Sequence, residues 1–267
     1  MNYKTLMAVA ATALCGTVFA DVTSANIVGY TQTDTPYLGS TAAGAFVPVT
    51  GTKNDLIDIT VIGYKDAQGN GTCEGGVQAQ TLDEYGGTDK IYEWYDVSYG
   101  PGDEYHGWYP LNGELPIERG DVPLELGGGL WVNVLVSNLK LQSSGQVPTA
   151  GDVETSLPNL GYVIANPTPV NVDLVDCMIT GYKDAQGNGT CEGGVQAQTL
   201  DEYGGTDEIY EWYDVSYGPD DEYYGWYPLN GEINVPRNKV VMTPGRGLWI
   251  QSFDSCYNFV WPKVEVK

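Results

Sequence analysis

Along much of the chain, apolar and polar positions change places at nearly every step. VQAQTL from Val77 and IYEWYDV from Ile91 both alternate in this way, the two-residue period of a strand with one buried face. Between them DEYGGTD carries two consecutive glycines, so the two runs predict a hairpin. YHGWYPL from Tyr105 predicts a third strand after the turn YGPGDE, and VPLEL from Val122 and GLWVNVLV from Gly129 predict two more. No stretch from Asp21 to Lys267 keeps apolar residues at i, i+3, i+4 and i+7 for a full helix. The one short candidate, Val77 to Tyr85, ends in glycines and reads better as a strand. The predicted class is all-β: antiparallel sheets forming a sandwich or a partly closed barrel.

The same pattern occurs twice. The block from Gly63 to Glu114 returns at Gly181 to Glu232, an offset of 118 residues, and only three of its 52 positions differ: Lys90/Glu208, Gly102/Asp220 and His106/Tyr224. Outside the block the register persists while identity falls away. DLID at Asp55 faces DLVD at Asp173, Arg119 faces Arg237, and GGGLWV from Gly127 faces GRGLWI from Gly245. A repeat of this length is the size of a domain. The sequence therefore divides into residues 1–20, a first repeat at 21–150 and a second at 151–267, with the Pro- and Gly-containing GQVPTAGD at the join.

Residues 1–20 have the layout of a cleaved secretory signal: Lys4, the apolar run LMAVAATAL, then the small-residue end VFA. The lipidation reading of Cys15 fails because Leu14 stands where a small residue is needed. No later apolar run is long enough to span a bilayer. Export places the expected location outside the cytoplasm, secreted or on the cell surface. The formal net charge is −23, which repels nucleic acid and anionic lipid and makes either an unsuitable partner. Twenty Tyr and seven Trp supply enough apolar area to argue against disorder.

Three further stretches carry a likeness: SANIVGY at Ser24–Tyr30, GYVIANP at Gly161–Pro167 and PGRGLWI at Pro244–Ile250. In these the chain resembles a group of exported bacterial proteins of unknown function. They open on SAN-x-V-G-Y and repeat a unit running from A-N-P to P-G-x-G-L-W-I. The resemblance implies export, β repeats and an extracellular or cell-envelope role, and it brings no catalytic residue with it. The first repeat departs from the pattern, with GAFVPVTGT in place of the A-N-P segment and LGGGLW lacking the proline.

The chemistry open to such a chain is narrow. His106 is the sole histidine and its counterpart is Tyr224, so no His-based triad or zinc site is shared by both repeats. Carboxylate pairs such as Glu93/Asp96 and Glu211/Asp214 are available for glycoside hydrolysis, although an acidic strand face presents such pairs without any catalytic purpose. The loop DAQGNG puts Asp66, Gln68 and Asn70, and again Asp184, Gln186 and Asn188, at alternate positions before a glycine. That spacing is the first half of a calcium loop, but Val77 and Val195 stand where the bidentate Glu belongs. A plain Asx-type turn explains the same letters.

The aromatic runs suggest a sugar platform. Trp94, Tyr95, Trp108 and Tyr109, with Trp212, Tyr213, Trp226 and Tyr227 as their copies, lie in neighbouring strands among acids. Half of such residues face a core and half face solvent, where rings can stack on sugars. Trp131 and Trp249, in apolar strands, are expected in the core. Among the cysteines, Cys177 and Cys256 face Ile59 and Asn138 in the first repeat, so their joint presence predicts a disulfide between them. Cys73 and Cys191 occupy equivalent sites and are left as cross-linked or free. The reading is an exported, non-catalytic tandem-repeat protein that binds a polysaccharide-like ligand, with calcium as a candidate cofactor. The alternatives are a purely structural envelope protein and a polysaccharide-degrading enzyme.

Overall fold

A computed structural model describes residues 28–34, 39–43, 54–63, 71–83, 87–135, 139–146, 152–158, 160–182, 186, 189–201, 205–253 and 257–263. The chain is all-β and its sheets are antiparallel. In the first repeat the strands are β1 (Val28–Asp34), β2 (Gly39–Ala43), β3 (Asn54–Asp55), β4 (Thr60–Ile62), β5 (Cys73–Leu82), β6 (Thr88–Gly100), β7 (Asp103–Pro110), β8 (Pro123–Leu124), β9 (Leu130–Val134) and β10 (Lys140–Gln146). The second supplies β11 (Val153–Leu157), β12 (Leu160–Ala165), β13 (Val172–Asp173), β14 (Met178–Thr180), β15 (Cys191–Leu200), β16 (Thr206–Gly218), β17 (Asp221–Pro228), β18 (Val241–Met242), β19 (Gly247–Ser252) and β20 (Tyr257–Trp261).

One topology recurs. A five-stranded sheet β2-β9-β5-β6-β7 is matched by β12-β19-β15-β16-β17, a three-stranded sheet β1-β10-β4 by β11-β20-β14, and the short pair β3-β8 by β13-β18. The hairpin expected around DEYGGTD is β5–β6, paired through Gln80↔Ile91 and Gln78↔Glu93, and β7 follows as its neighbour.

Alternation decides which face of each large sheet is core. In β9, Leu130, Val132 and Val134 are buried while Trp131 and Asn133 are only half-buried. In β5 and β6, Val77, Ala79, Tyr92 and Trp94 point inward and meet Val61, Leu139 and Leu141 from the three-stranded side. Val195, Ala197, Tyr210, Trp212 and Trp226 repeat this against Ile179, Phe259 and Trp261.

The short motifs retained in both repeats close these sandwiches. Asp55 caps a 3₁₀ turn at Leu56–Asp58, accepting from the amides of Ile57 (3.3 Å) and Gly120 (2.7 Å). Arg119 grips Asp58 with both terminal nitrogens, and Arg237 does the same to Asp176. Asn166 of the A-N-P segment is buried, and its amide donates to the carbonyls of Val170 (2.7 Å) and Met242 (2.9 Å). Gly247 is obligatory, because a Cβ there would lie 1.5 Å from the Ile164 carbonyl oxygen.

Two corrections follow from this packing. Cys177 is a fully buried free thiol whose Sγ donates to the Asp173 carbonyl at 3.7 Å, so the disulfide expected with Cys256 is not formed. Met178 pairs with Val260, which puts Cys177 beside the Trp261 end of β20. Cys256 lies outside the described residues. Cys73 and Cys191 are also buried and free.

The second correction concerns the four tryptophans. Trp94, Trp108, Trp212 and Trp226 are at most 3% exposed and form no platform. Trp94 pairs with Trp108 and Trp212 with Trp226 on the core face, each pair edge-to-face at 5.5 Å. Trp108 Nε1 donates to the Ile59 carbonyl at 2.7 Å and Trp226 Nε1 to that of Cys177 at 3.0 Å. These rings are the structural half of the aromatic run.

Candidate ligand-binding cleft

The outer faces of the two large sheets carry the other half. Glu93 and Tyr95 alternate with the buried Tyr92 and Trp94 and therefore point away from the core. Tyr95 and Tyr213 are half-buried on this face, whereas Tyr109 and Tyr227 are covered, at 5% and 6% exposure. Tyr109 is screened by the rings of Tyr95 (5.4 Å) and Tyr105 (5.6 Å), so it supports the face rather than presenting itself. Burial first, and then the bond to Glu211, raises the Tyr213 hydroxyl to about 12. Glu93 accepts from Gln78 Nε2 (2.9 Å) and from the Tyr95 hydroxyl (3.0 Å), and Glu211 repeats both contacts with Gln196 and Tyr213.

The acid pairs considered for hydrolysis come apart here. Glu93 sits on the outer face, while Asp96, three residues on, belongs to the other face and pairs across to His106. Glu211 and Asp214 separate in the same way. Of the calcium-loop residues only Gln186 is described, and it is exposed. Asp66, Gln68, Asn70, Asp184 and Asn188 lie outside the described residues. No group of three or more His, Cys, Asp or Glu side chains suited to a metal occurs among the described residues.

What the sheets bring together is a cleft between the repeats. The Trp131 and Trp249 rings meet edge-to-face with centroids 6.1 Å apart and planes at 89°. They line a cavity of about 290 Å³ with Gln80 and Gln198, Leu82 and Leu200, and Thr88 and Thr206. Every lining residue has its 118-residue counterpart across the cleft. Thr88 Oγ1 donates to Gln80 Oε1 at 3.0 Å, and Thr206 to Gln198 at the same distance. Trp131 Nε1 donates to Asn133 Oδ1 at 3.1 Å, which fixes the indole on the outer face.

The repeats meet reciprocally. β2 touches β12, its topological equivalent, while β9 touches β12 and β19 touches β2. Contact between equivalent parts is the mark of a twofold relation, because a head-to-tail arrangement would join unlike surfaces. The junction is firm: the Gly129 amide donates to the Val163 carbonyl (2.8 Å), the Ala165 amide to that of Gly127 (2.9 Å), and Leu126 packs on the second core. Thr155, fully buried, donates to the Leu126 carbonyl and accepts from Trp261 Nε1.

The core assignment of Trp131 and Trp249 is thus overturned, and a signal for their true place was present. Asn133 and Gln251 stand two residues further on, so each tryptophan shares a face with a polar side chain. Glu93 marks Trp94 as inward by the same rule. No family model, no curated protein and no solved structure matches the chain.

Proposed function

We propose that this is an exported, non-catalytic binding protein whose ligand is a polysaccharide-like chain held at the cleft between its repeats. One observation carries the reading: two partly exposed indoles, backed by amide and hydroxyl side chains, line a concave site supplied equally by both repeats. Aromatic faces stack on the C–H faces of sugar rings, and amides hydrogen-bond to the hydroxyls. Catalysis is a poor match, because among the described lining residues there is no general acid or general base. Thr88 and Thr206 have their protons committed to glutamine oxygens.

The reading departs from independent platforms on each repeat. It makes the repeats two halves of one site, with a Gln–Thr pair supplied by each. The test is retention on insoluble polysaccharides, with wild type against Trp131→Ala and Trp249→Ala. Retention of wild type and release of both variants supports the cleft. Equal retention of all three places any affinity elsewhere, and no retention of wild type favours the purely structural envelope role.

A further inference from the structure

The lining of the cleft also restricts the chemistry of its occupant. Resting on the reading of the cleft as a glycan site, we infer that its ligand is an oligosaccharide segment without anionic groups. The chain has 35 acidic and 12 basic residues, yet among the described residues none of them lines this cavity. Carboxylates stand just outside it. Asp83 and Asp201 follow the lining residues Leu82 and Leu200, and Glu93 and Glu211 occupy the next outer-face row. A uronate or sulfate entering the cleft would lose water and find no cation among the described lining residues, with Glu93 and Glu211 in the next outer-face row, an arrangement that selects against anions.

The hydrogen-bonding groups suit a hydroxyl-rich sugar. Each threonine hydroxyl donates to its glutamine Oε1. That leaves the glutamine Nε2 donors together with lone pairs on the threonine and glutamine oxygens, so the walls both donate and accept. Gln198 Nε2 has a long 3.5 Å contact to Gln251 Oε1, weak enough to exchange for a ligand oxygen. Sugar hydroxyls, which both donate and accept, match such a wall.

Matched oligosaccharides test this without knowledge of the natural ligand. Isothermal titration of the whole protein would compare β-1,4-mannohexaose with the mannuronate hexamer, which differ by the C6 carboxylate. Cellohexaose and N-acetylchitohexaose would serve as further neutral hexamers. The expected result is binding of a neutral hexamer, with its anionic counterpart weaker by about tenfold or more. Raising salt from 20 to 200 mM should change the neutral affinity by less than about twofold, since no ion pair is screened. Gln80→Ala/Gln198→Ala should weaken it by about tenfold with both indoles intact. Binding of the mannuronate hexamer at least as tight as its neutral counterpart overturns the inference while leaving the cleft as the site. Absence of binding by every hexamer overturns the inference and the reading on which it rests.

Discussion

A thiol buried among apolar side chains is a good small hydrophobe and a poor anion. Desolvation pushes both Cys73 and Cys191 up to about 11, and it raises Cys177 well above the ordinary thiol value. None should react with an aromatic disulfide reagent at pH 8 while the protein is folded, and all three should react in guanidinium. Non-reducing peptide maps should contain no peptide joining Cys177 to Cys256. Tyr99 and Tyr217 donate to Glu74 and Glu192, and these bonds raise both phenols to about 12. A pKa raised in the folded state means that the folded protein holds its proton more tightly. The resulting stability is complete below the unfolded value, near 9 for thiols and 10 for phenols, and disappears as pH climbs through the folded values. Melting temperature should therefore be flat in this respect up to about pH 9 and fall steeply toward pH 12. Phenolate absorbance should show these tyrosines titrating late in the folded protein and near 10 in denaturant. A normal phenolate titration in the folded state would refute the hydrogen bonds to Glu74 and Glu192.

Short motifs become intelligible as parts of elements. Asp55→Ala would leave the Ile57 and Gly120 amides without their acceptor, at a cost of about 2 kcal/mol. In a protein of this size that is a melting-temperature loss of about 4–8 °C. Gly247→Ala forces a methyl group into the Ile164 carbonyl and should break the β12–β19 pairing, lowering stability by more than about 3 kcal/mol. The Lys90/Glu208 difference also has a structural partner. Glu208 holds Lys239 at 2.7 Å, while Lys90 and Asp121, at the equivalent positions, line one surface pocket of the first repeat. The charges at the two positions are exchanged between the repeats. Glu208→Lys alone should cost up to about 1 kcal/mol, and adding Lys239→Asp should recover it. The strands β5, β6, β7 and β9 were legible because their alternation is strong. β10 was not: its buried Leu141, Ser143 and Gly145 alternate with Lys140, Gln142 and Ser144, but serine and glycine give no apolar signal. The all-β class and the aromatic outer face could be read from letters. Which ring of Trp94-Tyr95 points out required attention to Glu93, and the cleft required knowing how two repeats dock.

At the scale of the molecule, docking is what makes the site. Each half-cleft is a shallow patch of a sheet face, and only the reciprocal contact of β2, β9, β12 and β19 turns two patches into one concavity. Gly127 is central to that contact, since a Cβ there would lie 2.2 Å from Thr155 Oγ1 and 2.5 Å from Trp261 Nε1. Gly127→Leu should separate the repeats without touching a lining residue, and ligand binding should fall along with the small-angle scattering signature of a compact pair. A variant that binds normally with its repeats apart would show that the patches act alone. The most direct measurement of the central claim is binding stoichiometry by isothermal titration with the retained neutral oligosaccharide. A single shared cleft predicts one ligand per chain, with Trp131→Ala and Trp249→Ala each weakening the whole of the binding by about tenfold or more. Two ligands per chain, with either substitution removing half the sites and leaving the affinity of the rest unchanged, would contradict it.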